Sequence, residues 1–278
     1  MSPDLPIWTP TPLRVADANL TRFLDFARER GSDASDPQRL WTWSTARPAD
    51  FWQAVWDFCG VIGERGPGPV LTDGGRMPGA RWFEGARLNF AENLLRLSGS
   101  EPAIVFCNER GERREISWDA LRSEVARIAD GLREAGVEPG DRVAGFLPNL
   151  PETVIAMLAA ASVGATWSSC SPDFGLQGVM DRFGQIAPRV LFTADGYAYG
   201  GKLHDSIGRI ADVVARIGSI TRVVVVPYAR PDPGLSRLPG AVPFDRFGRP
   251  GAGLDCVRLP FDHPLYIMYS SGTTGVPK

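Results

Sequence analysis

The sequence predicts an α/β fold, a parallel sheet flanked by helices, with a helical, tryptophan-rich region ahead of it. Three observations carry this. From about residue 102, β-branched runs such as "DRVAGFL", "RVLFTA" and "RVVVVPY" alternate with helical segments. Strands alternating with helices of about 10–15 residues belong to a parallel sheet covered on both faces. Six of the eight tryptophans, Trp8, Trp41, Trp43, Trp52, Trp56 and Trp82, fall within residues 1–100. The last apolar run, "HPLYIMYS", reads as a buried strand that feeds the glycine-rich ending "SSGTTGVPK". A division into residues 1–100 and 101–278 is therefore expected.

In chain order, residues 18–30 predict a helix with Leu20, Phe23, Leu24 and Ala27 inward and Gly31 as its cap. "PADFWQAVWDFC" predicts the next, with Phe51, Trp52, Val55, Trp56 and Cys59 on one face. Pro48 suits its first turn and Gly60 its stop. Residues 64–80 are a glycine- and proline-rich connector. "AIVFC" and "ERREIS" around "NERG" predict a β-hairpin. Ser117 can cap a helix in which Trp118, Leu121, Val125, Ile128, Ala129 and Leu132 keep helical spacing up to Gly136. Asn149 and Glu152 resemble a capping box opening a helix that ends near Gly164. "ATWSSC" predicts a strand, residues 176–186 a helix, and residues 203–217 another. Residues 229–257 read as a long surface loop.

The chain has 278 residues, 44% hydrophobic and 22% charged, with net charge -2. These values suit a globular protein and give no footprint for nucleic acid or a polybasic membrane contact. Cys59, Cys107, Cys170 and Cys256 form no CxxC pair and there are two histidines, which argues against a zinc site or a disulfide scaffold. Buried structural thiols in a reducing compartment are expected. The N-terminus lacks a basic and an apolar signal region. The longest apolar stretch, residues 153–167, is shorter than the ~20 residues of a membrane span. A cytoplasmic protein is expected. Asp119, Glu124, Asp141 and Glu152 read as solvated or capping carboxylates, and His263 as structural.

"SSGTTGVPK" carries the chemistry. Gly272 and Gly275 let backbone N–H groups approach an anion, and Ser270, Ser271, Thr273 and Thr274 add hydroxyl donors. Lys278, with Lys202 one of only two lysines, adds an ammonium. Together they make a phosphate cradle. It is not a Walker A loop, because Val276 and Pro277 separate Gly275 from the lysine. A glycine–serine linker is the plain alternative.

"YSSGTTGVPK" resembles the phosphate loop of the adenylate-forming acyl-CoA synthetase superfamily. "GVEPGDRVAGFLPNLPETVIAMLAAASVGATWSSCSPDFG" resembles the early core of these enzymes. "DFWQAVWDFCGVIG" and "WFEGARLNFAENLL" resemble the N-terminal extension of their acetyl-CoA synthetase branch. Within it, "SSCSPDFG" and "DHPLYIMYSSGTTGVPK" look most like acetoacetyl-CoA synthetases. The resemblance covers residues 8–278.

It implies that residues 1–100 are that extension and residues 101–278 the first, incomplete part of the AMP-binding α/β domain of an adenylate-forming enzyme. It implies a carboxylic acid (acetoacetate), ATP with Mg²⁺, and coenzyme A as reactants. Ser270, Ser271, Gly272, Thr273, Thr274, Gly275 and Lys278 would hold the β- and γ-phosphates. Lys202 would be a cation near the 3′-phosphate of coenzyme A, with Tyr199 where relatives carry a second one. A solvated surface lysine is the alternative. Family members are longer and carry further motifs downstream, so the chain is expected to be an N-terminal portion, inactive alone, with its catalytic residues beyond Lys278. Two other readings stand beside this one: an enzyme for another short acid or a carrier protein, and a non-catalytic binding module.

Overall fold

The structure is a computed structural model that describes residues 6–270. The chain separates into two compact units, Met1–Ala86 and Arg87–Lys278.

The first unit is built on α1 (Pro12–Ala16), α2 (Asn19–Glu29), α3 (Pro37–Ala46) and α4 (Pro48–Cys59). Three begin with proline at the first turn, where the missing N–H costs nothing. Thr11 and Asp36 cap α1 and α3 with side-chain oxygens. At the end of α2, Gly31 adopts φ +83° while its N–H and that of Ser32 return to Arg28 O and Ala27 O. This is the glycine stop predicted for that helix.

Phe23, Phe26, Trp43, Phe51 and Phe58 pack with ring centroids 5.1–6.5 Å apart, mostly edge to face. Two expectations need correction. Leu20 stands half exposed, because it precedes the stretch of α2 that meets this cluster. The aromatic residues of α4 also do not share one face. Phe51, Ala54, Val55 and Phe58 join the cluster, while Trp52 and Trp56 turn to Trp82 and Phe83 and Cys59 is exposed. The connector holds a short antiparallel pair, Leu71–Thr72 with Arg81–Trp82.

The second unit opens with α5 (Phe90–Leu94) and the predicted hairpin, β1 (Pro102–Cys107) with β2 (Arg113–Ser117). Then follow α6 (Trp118–Glu134), β3 (Arg142–Phe146), α7 (Pro151–Ser162), β4 (Thr166–Cys170), α8 (Leu176–Ile186) and β5 (Val190–Ala194). A second hairpin, β6 (Gly196–Tyr199) with β7 (Lys202–Asp205), leads to α9 (Ile207–Arg216), β8 (Arg222–Val226) and β9 (Val242–Pro243). The five strands of the main sheet are parallel in the order β9-β8-β5-β3-β4.

Side chains alternate across this sheet with period two. Val143, Val190, Phe192, Val224 and Val226 pack with the core of α6 and α7. Ala144, Phe146, Leu191, Val223 and Val225 pack with the core of α8 and α9. Gly145 is required by packing: a Cβ there would lie 2.6 Å from the Trp167 ring.

Four local expectations change. The cap of α7 is Leu150, with no side-chain hydrogen bond. Pro151 fixes the start, and Glu152 binds Arg114 through two hydrogen bonds of 2.7 and 3.1 Å instead of closing a capping box. The helix predicted from residue 203 starts at Ile207, because residues 202–205 pair as β7. Residues 229–257 are no plain surface loop. They supply β9 and bury Leu238, Phe244 and Phe247. Cys107 is exposed like Cys59, while Cys170 is buried.

Candidate functional site

Residues 264–267 run parallel beside β4. Trp167 N–H donates to Leu265 O (3.0 Å) and Ile267 N–H donates to Trp167 O (2.9 Å). Thr166 Oγ1 and Ser168 Oγ donate to Pro264 O (3.3 Å) and Ile267 O (2.9 Å). The run is a single bridge buttressed by two hydroxyls, half-buried at the sheet edge, where a longer buried strand was expected. Being parallel to β4, it leads the chain toward the C-terminal end of the sheet, where open α/β sheets bind ligands. His263, just before it, sets Nε2 2.8 Å from Gly164 O, the structural role expected of it.

Tyr269 then closes the approach. Its hydroxyl donates to Arg182 O (2.7 Å), and the Arg182 guanidinium lies 5.7 Å from the Tyr269 ring and 4.3 Å from the Phe174 ring. Arg182 comes from α8 and Phe174 from the turn after β4, so the last described residues are clamped by a cation between two rings. Sequence reasoning missed this clamp, although the aromatic residue directly before Ser270 was a signal for it. Burial raises the Tyr269 hydroxyl pKa, with the Arg182 cation opposing. Burial also pushes the nearby Cys170 thiol up to about 12, so this cysteine supplies no thiolate near neutral pH.

Of the predicted phosphate-binding residues, Ser270 is described and exposed. Ser271, Gly272, Thr273, Thr274, Gly275 and Lys278 lie outside the described residues. Among the described residues no group of three or more His, Cys, Asp or Glu converges to hold a metal ion.

Lys202 lies at the tip of the β6–β7 hairpin, cross-strand from Tyr199. The turn between them is Gly200 (φ +61°) and Gly201 (φ +74°), a left-handed pair that suits a two-residue hairpin. Both side chains are exposed, and Lys202 makes no ion pair among the described residues. Tyr197 stacks on His204 with centroids 4.8 Å apart. The base of the hairpin is pinned by Asp195, fully buried at the end of β5. It accepts from the N–H groups of Tyr228 (2.8 Å), Ala229 (2.7 Å) and Arg230 (2.9 Å). Arg230 also pairs with Asp205 on β7. Three backbone donors satisfy a carboxylate that would otherwise be too costly to bury. No local sequence feature signals this role of Asp195.

Two family descriptions match the chain. "AMP-binding enzyme" matches residues 91–278 and "Acetyl-coenzyme A synthetase N-terminus" matches residues 38–94. The chain is 48% identical over 282 residues to an acetoacetyl-coenzyme A synthetase of Rhizobium meliloti (strain 1021), covering 100% of this chain and 43% of the relative. It is 43% identical over 249 residues to an acetoacetyl-CoA synthetase of Macaca fascicularis, covering 86% and 37%. Among solved structures it superposes on an acetoacetyl-CoA synthetase from Streptomyces lividans with TM-score 0.89 at 42% identity, covering 98% and 42%. The chain thus spans less than half the length of these relatives.

Proposed function

Because the chain belongs to the AMP-binding enzyme family, we propose that it serves an ATP-dependent acid–thiol ligase whose acid is acetoacetate. In the protein that carries these residues, a carboxylate oxygen of the acid attacks the α-phosphorus of ATP and pyrophosphate leaves. The coenzyme A sulfur then attacks the acyl carbon of the adenylate and AMP leaves, giving acetoacetyl-CoA. The contribution of this chain is positioning and charge stabilisation, with no protein nucleophile. Ser270, Ser271, Gly272, Thr273, Thr274, Gly275 and Lys278 hold the β- and γ-phosphates. Mg²⁺ accompanies ATP as a counter-charge, with no residue of this chain assigned to it. Lys202 meets the 3′-phosphate of coenzyme A.

The observation that carries this reading is the path of residues 264–267 parallel to β4, followed by the docking of Tyr269 on Arg182, which directs the chain at Ser270 toward the C-terminal end of a parallel sheet. Residues 1–100 act as an extension of the acetyl-CoA synthetase type, and residues 101–278 begin the AMP-binding domain. The family matches at 38–94 and 91–278 support that division. The described residues contain no helix long and apolar enough to cross a membrane. We propose a cytoplasmic location, which the four free cysteines support as a sign of a reducing compartment.

The test is pyrophosphate release by the whole protein with ATP, Mg²⁺ and coenzyme A over a panel of short acids. Acetoacetate is expected to give the highest kcat/KM. Release with another acid and none with acetoacetate would overturn the substrate. Lys278→Ala is expected to cost about tenfold or more in kcat. An unchanged rate would remove Lys278 from the phosphate site.

A further inference from the structure

The tip of the β6–β7 hairpin is an anion site already filled by the chain itself. Gly200 and Gly201 are successive residues with positive φ, so their N–H groups face the same side and form a small concave nest. The Glu109 carboxylate sits in it. Gly200 N–H donates to Oε2 (3.1 Å) and Gly201 N–H donates to Oε1 (3.2 Å). Glu109 belongs to the turn between β1 and β2, about 90 residues away in sequence.

That turn is constructed to present it. Asn108 Oδ1 accepts from Arg110 N–H (3.0 Å) and Glu112 N–H (3.0 Å). Asn108 Nδ2 donates to Glu112 Oε2 (2.9 Å) and to the Tyr228 hydroxyl (3.0 Å). Tyr228 N–H in turn binds Asp195, so both hairpins share one support. Lys202 is the next residue after the nest, and the cross-strand position holds the uncharged Tyr199.

We propose that Glu109 is an internal anion that competes with a phosphate monoester for the hairpin tip. This inference rests on the coenzyme A reading of Lys202 and concerns that same site. The two backbone donors can hold one anion at a time, and Lys202, which makes no ion pair among the described residues, stands at the next position in the chain. A second negative charge brought beside the carboxylate is repelled, since like charges at this range disfavour each other. Binding of the 3′-phosphate therefore requires Glu109 to leave, and the hairpin's affinity for that phosphate is set by the exchange. The nest amides stay hydrogen-bonded throughout, first to Glu109 and then to the ligand.

The experiment measures dissociation constants of coenzyme A and of dephospho-coenzyme A, which lacks the 3′-phosphate, by calorimetry. It uses the full chain and the variants Glu109→Ala, Glu109→Gln and Lys202→Ala. Glu109→Ala is expected to tighten coenzyme A by about three- to tenfold and leave dephospho-coenzyme A unchanged. Glu109→Gln should fall between. Without ligand, Glu109→Ala should speed hydrogen exchange at Gly200 and Gly201, and coenzyme A should restore their protection. Equal or weaker coenzyme A binding by both Glu109 variants, with Lys202→Ala still weakening it, would overturn the competition and leave the coenzyme A site standing. Tightening in Glu109→Ala with no effect of Lys202→Ala would keep the competition and remove Lys202 from the site. Failure of coenzyme A to bind any of the four proteins at millimolar concentration would overturn both.

Discussion

Asp130 on α6 accepts three hydrogen bonds from Arg249: the backbone N–H (3.0 Å), Nε (3.0 Å) and Nη2 (2.7 Å). The side-chain bonds first, and the backbone bond second, lower its pKa from the ordinary 3.8 to about 2. A carboxyl whose folded pKa lies below its unfolded one stabilises the fold fully above the unfolded value and loses that effect as pH falls through the folded one. Asp130→Asn is therefore expected to be less stable than the parent at neutral pH. The gap should narrow as pH falls from about 4 to about 2. Urea midpoints at several pH values check this, and a gap that stays constant with pH would contradict it. Neither Asp130 nor Asp195 stands out in its local sequence. The partners of Asp130 lie 119 residues away and those of Asp195 lie 33–35 away. Their roles are set by tertiary neighbours, which residue type and local spacing do not encode.

Elements with local signals were readable. The Ser117 hydroxyl accepts from Ala120 N–H at the start of α6, and Gly136 ends it with φ +74°. The bounds of α8, Leu176–Ile186, coincide with the predicted ones because apolar spacing and flanking turn residues agree. Elements whose signals depend on distant partners were misread. Glu152 carries a capping-box signature, yet a cation on a neighbouring hairpin offers it two charge-assisted bonds. Residues 229–257 have loop composition, yet Arg127 fixes them to α6 by donating through Nη1 to Phe244 O (2.8 Å) and Phe247 O (2.6 Å). Gly248 then turns with φ +80°, and a Cβ there would lie 1.8 Å from Arg127 O. Gly248→Ala is expected to destabilise the chain by about 2–4 kcal/mol, from a strained backbone and a displaced Arg127 anchor. A urea midpoint within about 0.5 kcal/mol of the parent would show that the turn tolerates a side chain.

At the scale of the whole molecule, the four thiols report whether the packing is intact. Cys59 and Cys107 are exposed, Cys170 is buried inside the sheet's core and Cys256 is half-buried. Burial pushes the last two thiols up to about 12 and about 11. A thiol reagent at pH 8 is expected to label Cys59 and Cys107 quickly, and Cys170 and Cys256 only after urea unfolding. Mass mapping of the labelled peptides checks this, and rapid labelling of Cys170 in the native chain would contradict the packing of β4 against α8. The α/β class, the alternation of β3, β4, β5 and β8 with the helices α6 to α9, and the glycine-rich motif after the last apolar run are legible in the sequence alone. Each is written in periodicity and turn residues only a few positions apart. Long-range packing alone sets residues 264–267 along the edge of β4, Tyr269 on Arg182 and Glu109 in the hairpin tip. Those contacts join segments tens of residues apart, and which donor meets which acceptor is settled by the packed sheet that holds them.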